Sequence, residues 1–174
     1  LGDQPVPAGN LEKNLQNLVV YGNIPAPESI SLSFGTYGEY YYEANGKEIN
    51  LRGDIDDLSA FKYLPNLRVV ELVFQQILDI SPLKGLNLTI LNLNDNNIED
   101  LSPLAEMKTL RELELAYNPI SDIRSLKGLE QLKILDLSNT QLTSLAGIEE
   151  MGQLGELYLR SVPLKTLPEI NQLK

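Results

Sequence analysis

The stretch Asn92–Leu104, NLNDNNIEDLSPL, and the stretch Glu114–Ile123, ELAYNPISDI, share one spacing of apolar residues, Asn and Asp, although the residues between them differ. The same spacing recurs in successive units, which follow one another at steps of 21, 22, 22 and 22 residues. The units begin at Leu67, Leu88, Leu110, Leu132 and Leu154. A fixed period between about 20 and 30 residues, with apolar residues at constant offsets, is typical of a solenoid of stacked coils.

Each unit contains a short alternating segment, as in Leu113-Glu114-Leu115. Alternation with period two predicts a short strand that buries one face. Asn96 and Asn118 follow their strands directly, where a buried amide can bond the bent backbone of its own coil and of the next coil. Other residues occupy this position in the outer coils, so we expect the ladder of Asn contacts to weaken toward both ends. These residues are Gln75, Thr140 and Val162.

The segment opposite the strand carries a Ser-Pro pair in two units, at Ser81-Pro82 and Ser102-Pro103. Serine is a favoured N-cap residue and proline is tolerated in the first helical position, so the pair predicts a short helical turn on the convex side. The next unit has Arg124-Ser125 instead, and we expect a looser turn there.

The shared pattern LxxLxLxxNxIxDLSPLxxL resembles the leucine-rich repeat. Its 22-residue step and its D-[IL]-S-P-L segment are similar to the subclass found in bacterial internalins and in a eukaryotic phosphatase-regulatory subunit. The resemblance covers about residues 49–173. It implies an α/β fold, namely a right-handed solenoid with a curved parallel β-sheet and short 3-10 or α turns on the convex side.

We expect two parts in the chain: an N-terminal α+β cap over residues 1–47 and a solenoid of about six coils over residues 48–174. In the cap, Asn10 is placed to begin a short helix, Ile30–Phe34 alternates as a strand does, and Asn45-Gly46 is typical of a hairpin turn. A cap is expected because the first coil of a solenoid has an open apolar end. The first coil of the solenoid is degenerate, with Asp54 in the ladder position.

The composition excludes several classes of function. The chain has 24 acidic and 14 basic residues and a net charge of -10, which argues against nucleic acid as a partner and favours a basic one. It has no Cys and no His, which excludes disulfides, Cys/His metal sites, thiol nucleophiles and His-based acid–base catalysis. No apolar run approaches the roughly 18 residues of a membrane span. We expect no cofactor and no metal ion.

An enzyme is the least favoured interpretation. Glu114 and Asp136 lie on neighbouring predicted strands, about 4.8 Å apart, and could form a pair of carboxylates. A solvated acidic stripe on a shallow surface is favoured instead, since acid–base catalysis needs a desolvated group. The acidic run 54–57 is not predicted to be a calcium site, because it lacks the Gly and the distal Glu of an EF-hand loop. The tripeptide Arg52-Gly53-Asp54 matches the integrin-binding motif, but it ends a predicted strand rather than lying in a flexible loop.

The concave face is the better candidate for a binding site. Val69, Ile90 and Ile134 are apolar at outward strand positions, and three aromatic residues lie beside or within the same columns. Apolar and aromatic residues within an acidic surround are typical of protein interfaces. The alternative is that strands simply favour such side chains. The predicted partner-binding residues are Val69, Glu71, Val73, Phe74, Ile90, Asn92, Glu112, Glu114, Tyr117, Ile134, Asp136, Tyr158 and Arg160. The columns also extend to Glu48, Asn50 and Arg52 of the first coil.

The resemblance implies a non-catalytic recognition module whose concave face holds a protein or a peptide, with Phe74, Tyr117 and Tyr158 as anchors and carboxylates that steer a basic surface. It implies a bacterial surface or secreted protein. Two alternatives stay open: a structural spacer or scaffold segment of a larger surface protein, and a cytoplasmic regulatory subunit. The repeat is still in register at Leu173, so we expect the natural protein to continue, and an uncapped last coil also allows a homo-oligomer.

Overall fold

The computed structural model describes residues 66–165 with residues 58, 59 and 61, together with the backbone of four strands nearer the N-terminus. These four strands are β1 (Val6–Pro7), β2 (Ser29–Phe34), β3 (Tyr40–Ala44) and β4 (Lys47–Arg52). Five strands of three or four residues follow, β5 (Val69–Leu72), β6 (Ile90–Asn92), β7 (Glu112–Glu114), β8 (Ile134–Asp136) and β9 (Glu156–Tyr158). The predicted helix after Asn10, the ladder role of Asp54 and the coil near Leu173 lie outside the described residues.

One sheet contains all of these strands, in the order β1-β4-β3-β2-β5-β6-β7-β8-β9. Strands β5 to β9 are parallel, and each of β5 to β8 pairs with the strand one coil further along the chain. Between consecutive strands, the described chain returns through a 3-10 helix, as a parallel arrangement requires. These 3-10 helices are η1 (Ser81–Leu83), η2 (Ser102–Leu104), η3 (Arg124–Gly128) and η4 (Ile148–Glu150). The sheet and its returns confirm the predicted solenoid.

The core lies between the sheet and the 3-10 helices, and it is continuous along the solenoid. The leucines at the inward strand positions, such as Leu91, Leu113 and Leu135, are completely buried. The branched residues that begin each return, such as Ile98 and Ile120, are buried against them. A single cluster of apolar side chains extends from Leu58 to Leu154. Each coil therefore buries its apolar face only by stacking on its neighbours.

The ladder of buried Asn side chains is present in the two central coils, as predicted. The Nδ2 of Asn96 donates to the carbonyls of Leu72 in the preceding coil and Leu93 in its own coil, at 2.7 and 3.0 Å. The Nδ2 of Asn118 makes the equivalent bond to the carbonyl of Leu93, at 2.8 Å. In the next coil, the Oγ1 of Thr140 donates to a carbonyl of its own coil. The described part of the ladder thus weakens toward the C-terminal end.

The prediction that serine caps the convex turns was wrong. Ser102 lies inside η2, and its backbone N–H donates to Oδ1 of Asp100 at 2.8 Å. Ser81 and Asp79 form the same pair at η1. In the third coil the N–H of Arg124 donates to Asp122 at 2.9 Å, and η3 is the longest of the four described 3-10 helices rather than a looser turn. The acceptor in all three coils is an aspartate two residues earlier, because its short carboxylate reaches the N–H groups left free where the helical turn begins.

The prediction that the columns of the concave face extend to Glu48, Asn50 and Arg52 was also wrong. Strand β4 pairs antiparallel with β3, and β3 pairs antiparallel with β2. It is therefore β2 that lies parallel to β5, with Ser29 opposite Val69 and Ser31 opposite Glu71. Only two residues separate β3 from β4, and a connection of that length joins adjacent antiparallel strands. Glu48, Asn50 and Arg52 consequently do not extend the columns of β5.

Candidate protein-binding face

The outward side chains of β5 to β9 form ordered columns on the concave face. Strand register places Glu114 opposite Asn92 on one side and Asp136 on the other. The columns confirm the predicted spacing for β5 to β9. The first column contains Val69, Ile90, Glu112, Ile134 and Glu156, and the second contains Glu71, Asn92, Glu114, Asp136 and Tyr158.

A third column follows the strands, and it mostly holds the sheet edge together. Its members are Val73, Asn94, Ala116, Ser138 and Arg160. Ala116 and Ser138 are buried. The Oδ1 of Asn94 accepts the backbone N–H of Ala116 at 2.7 Å, and the Oγ of Ser138 accepts the backbone N–H of Arg160 at 3.2 Å. Of the predicted binding residues in this column, Arg160 is exposed and Val73 is half-buried.

A fourth column has left-handed backbone in every described coil. The φ angles are 60° for Phe74, 56° for Asp95, 57° for Tyr117, 56° for Asn139 and 57° for Ser161. The coils fix this conformation through their backbones, since the N–H of Tyr117 donates to the carbonyl of Ser138 at 2.9 Å. A non-glycine residue in this region costs about 1–2 kcal/mol, so neighbouring coils must hold it in place.

The left-handed turn directs aromatic side chains into solvent. Phe74 is 57% exposed and Tyr117 is 56% exposed, and Tyr158 in the second column is 49% exposed. The sequence predicted these three aromatics as surface residues. It did not predict the left-handed backbone, because Phe and Tyr are not residues that ordinarily signal it.

Two amide side chains hold the carboxylate of Glu114 at the centre of the face. The Nδ2 of Asn92 donates to Oε2 of Glu114 at 2.8 Å, and the Nδ2 of Asn94 donates to the same oxygen at 2.7 Å. Partial burial raises the pKa of Glu114 above its usual value, the bond from Asn94 lowers it, and the nearby charges of Glu112 and Asp136 raise it. The result is a fixed carboxylate whose ionised form lacks full solvation.

Beside Glu114 lies an open depression of about 290 Å³. It is lined by Glu112, Glu114, Ile134, Asp136, Glu156 and Tyr158. The hydroxyl of Tyr158 donates to Oε2 of Glu156 at 2.7 Å, and this bond raises the pKa of the Tyr158 phenol. Within residues 66–165, no lysine or arginine pairs with the four carboxylates of this depression, since the ion pairs there are Arg124 with Asp122 and Lys127 with Glu150.

All thirteen predicted binding residues lie in the described part of the chain. The structure gathers Glu112, Glu114, Ile134, Asp136 and Tyr158 around the depression. The remaining eight lie outside its lining, nearer the edges of the same face or toward β5. They are Val69, Glu71, Val73, Phe74, Ile90, Asn92, Tyr117 and Arg160.

Two residues that take part in this arrangement were missing from the predicted set. Glu156 lines the depression, and Asn94 holds Glu114. Their positions in the repeat indicated that they belong to the face. Their roles depend on side-chain contacts between coils, which the repeat pattern does not report.

The described residues give no sign of a metal centre or a membrane span. None of their groups of acidic side chains is arranged to hold a metal ion. None of their helices is long and apolar enough to cross a membrane.

The sequence matches a family model described as Leucine Rich repeats (2 copies), at residues 86–128 and again at 108–150. No curated protein matches the chain. The fold is similar to the crystal structure of an internalin (inlF) from Listeria monocytogenes, with a TM-score of 0.74 and 24% identity over 99% of this chain and 51% of that one. Internalin C2 (inlC2) of the same species gives a TM-score of 0.64 and 24% identity, over 75% of this chain and 60% of that one. The chain thus spans about half the length of the first structure.

Proposed function

Because this chain is a leucine-rich repeat protein with an internalin-like fold, we propose that it recognises a protein or peptide partner through its concave face. The repeats and the fold are typical of protein-interaction modules. The proposed contact surface is the set of thirteen residues given above, together with Asn94 and Glu156. The proposed action is non-catalytic binding.

One observation carries the proposal, namely the exposure of large apolar side chains on this face. The described residues include four large apolar side chains that are strongly exposed, and three of them, Phe74, Tyr117 and Tyr158, lie on or beside the concave columns. Aromatic side chains, Tyr above all, supply much of the binding energy of protein interfaces. Hydrogen bonds to the next coil hold the backbone of Phe74 and Tyr117 in the left-handed conformation. Little backbone conformational entropy is therefore lost when a partner covers these two residues.

The charges around the aromatics favour a partner with a basic surface. Glu71, Glu114 and Asp136 lie in the second column, with Asn92 between the first two, and Glu112 and Glu156 lie beside them in the first column. Their summed field attracts cations and speeds the approach of a basic protein. We expect the aromatic side chains to determine the dissociation rate of the complex and the carboxylates to determine its association rate.

By its resemblance to internalins, we propose a place at the bacterial surface or in the secreted fraction. The chain spans about half of the internalin structure that it matches. A structural spacer makes a different prediction, since it captures no partner through this face.

The test is capture of partners from extracts of the source bacterium and of its host by the immobilised chain. The wild type is compared with a Tyr117→Ala, Tyr158→Ala variant and with a Glu71→Lys, Glu114→Lys, Asp136→Lys variant, each shown to be folded by circular dichroism. Leu78→Ala is the matched control, since Leu78 is 67% exposed but is not one of the residues of the concave columns. A partner bound by the wild type and by Leu78→Ala, and lost from both other variants, supports the proposal. A partner retained by every variant, or the absence of any partner, contradicts it.

A further inference from the structure

The edge of the sheet at which the strands begin carries positive charge that forms no ion pair within residues 66–165, in an otherwise acidic chain. Three cationic residues stand directly before their strands: Arg68 before β5, Arg111 before β7 and Lys133 before β8. All three are exposed. We refer to Arg68, Arg111 and Lys133 as the basic edge. It lies beside the first column of the concave face and is distinct from it.

The backbone holds the residues of the basic edge in a fixed register. The carbonyl of Arg68 accepts the N–H of Thr89, at 2.7 Å, and the carbonyl of Thr89 accepts the N–H of Arg111, at 2.9 Å. The carbonyl of Arg111 in turn accepts the N–H of Lys133, at 2.8 Å. Arg111 and Lys133 are therefore neighbours across one strand spacing, which is about 4.8 Å.

A depression opens between the two neighbouring cations. It has a volume of about 390 Å³ and is lined by Arg111, Glu130, Gln131, Lys133 and Gln153. The guanidinium, the ammonium and the two amides provide several N–H donors, whereas one carboxylate, that of Glu130, is present. This donor set is suited to carboxylate groups, which accept two parallel bonds from a guanidinium.

Within residues 66–165, no carboxylate forms an ion pair with the residues of the basic edge. Among residues 66–165, the ion pairs are those of Arg124 and Lys127, and neither Arg111 nor Lys133 takes part in one. Arg68 donates from Nη1 to the carbonyl of Leu67, which leaves most of its guanidinium donors free of protein acceptors among those residues. At physiological salt, charges more than about 8 Å away are largely screened, so the field at this edge depends on its cations and on the nearby carboxylates, Glu130 among them.

We propose that the basic edge is a second docking surface, which binds an acidic segment of a protein partner through its Asp and Glu side chains. Nucleic acid is a poorer occupant, because three cations beside an acidic face neutralise too few phosphates. The inference does not depend on the concave-face proposal. Where both hold, a partner whose basic region covers the concave columns has its acidic region over this edge, and the orientation of the complex is fixed.

The test uses a synthetic hexaglutamate peptide, blocked at both ends, added to the isotope-labelled chain in about 50 mM NaCl, where surface charges are weakly screened. Amide chemical shifts from nuclear magnetic resonance report the site. We expect the shifts to concentrate at Arg111, Gln131, Lys133 and Gln153. An Arg111→Glu, Lys133→Glu variant is expected to weaken binding by about tenfold or more, because two attractive contacts become repulsive.

Three comparisons make the result decisive. The Lys84→Glu, Lys127→Glu variant has the same change in net charge on the convex side, and it should bind the peptide as the wild type does. The milder Arg111→Gln, Lys133→Gln variant, which adds no repulsion, should weaken binding less than charge reversal. Tyr117→Ala, which alters the concave face, should leave the affinity for hexaglutamate unchanged, because the basic edge is a separate surface. The result of this test therefore does not depend on the concave-face proposal. The inference is overturned if no shifts appear, if they survive charge reversal, or if a heparin fragment produces them while hexaglutamate does not.

Discussion

At the scale of single residues, one amide side chain joins two coils. The Nδ2 of Asn96 donates to three backbone carbonyls, two in its own coil and one in the coil before. Its Oδ1 accepts the backbone N–H groups of Gln75 and Ile77, at 3.1 and 3.0 Å. These backbone groups are buried and bent away from regular pairing, so they depend on the Asn96 amide, although the carbonyl of Leu93 also accepts a bond from Nδ2 of Asn118.

We therefore predict that Asn96→Ala lowers the free energy of unfolding by about 3 kcal/mol or more, since several buried polar groups lose their partners at once. Thr140→Val, in the same position of another coil, should lower it by only about 1 kcal/mol, because Thr140 makes a single bond to the carbonyl of Leu137. Urea unfolding followed by circular dichroism measures both values. Equal losses in the two variants would contradict the role given to the amide.

The second residue-scale prediction concerns pH. Because the pKa of Glu114 is raised in the folded chain, chiefly by burial, the folded state binds a proton there more tightly than the unfolded state does. The resulting stabilisation is complete below the unfolded pKa, near 4.5, and is lost as pH rises through the folded pKa. The unfolding free energy of the wild type minus that of Glu114→Gln should accordingly fall as pH rises through that window. Urea titrations at several pH values measure it, and a difference that stays flat or rises would refute the prediction.

At the scale of elements, the turn before η4 requires a glycine. Gly147 has a φ of 104°, and a Cβ at this position would lie 3.2 Å from the Cα of Arg124 in the preceding coil. The backbone is therefore left-handed at a point where one coil packs closely on another. Gly152 lies two residues after the end of η4, and nothing lies within 4 Å of a Cβ placed there.

We predict that Gly147→Ala destabilises the chain by about 1–3 kcal/mol, because strain and contact with a backbone atom add together. Gly152→Ala is the matched control and should change the free energy of unfolding by less than about 1 kcal/mol in either direction. Thermal and urea unfolding of the two variants decide the matter. Similar effects at both sites would show that the backbone of Gly147 adapts freely.

The elements also show what the sequence could and could not predict. The strands and the columns followed from the repeat, because alternating residues must face opposite sides of a strand. The caps of the 3-10 helices did not follow from the repeat. Asp100 and Ser102 nevertheless have a spacing typical of a turn in which Asp accepts the backbone N–H of the residue two positions later. Two favoured cap residues so close together compete, and only the geometry of the preceding bend decides between them.

At the scale of the whole molecule, stability depends on stacking between neighbouring coils. The core cluster is continuous, and Leu113 lies in its central part while Leu164 lies near the end of the described residues and is only partly buried. Truncation of a central leucine leaves a cavity between two coils that cannot close.

We predict that Leu113→Ala lowers the free energy of unfolding by about 3 kcal/mol, within the range for buried leucines, and that Leu164→Ala lowers it by about 1 kcal/mol. Circular dichroism and tyrosine fluorescence should give the same transition for each variant, since one continuous core favours cooperative unfolding. Two separate transitions in the wild type would show that the coils unfold as independent blocks.

The N-terminal region shows where prediction failed at this scale. The hairpin of β3 and β4 was predicted from its Asn-Gly turn, and the antiparallel strands are present. The position of this hairpin in the sheet did not follow from the sequence, because Ile49 and Leu51 also fit the apolar spacing of the repeat. The repeat pattern specifies which residues face inward, whereas the pairing of β2 with β5 depends on how the strands before the first repeat join the sheet. The division into a cap and a solenoid at residue 47 stays a prediction.

The left-handed column has a consequence for how new binding specificities could be built on this scaffold. Its side chains take no part in the core, so their identity is free to vary, but their backbone excludes part of the amino-acid alphabet. Valine, isoleucine and threonine are poorly tolerated at positive φ, whereas asparagine and aspartate are favoured there. A combinatorial library at the positions of Phe74, Asp95, Tyr117, Asn139 and Ser161 should therefore omit the β-branched residues, and its diversity would be displayed on a frame that the Asn ladder keeps constant.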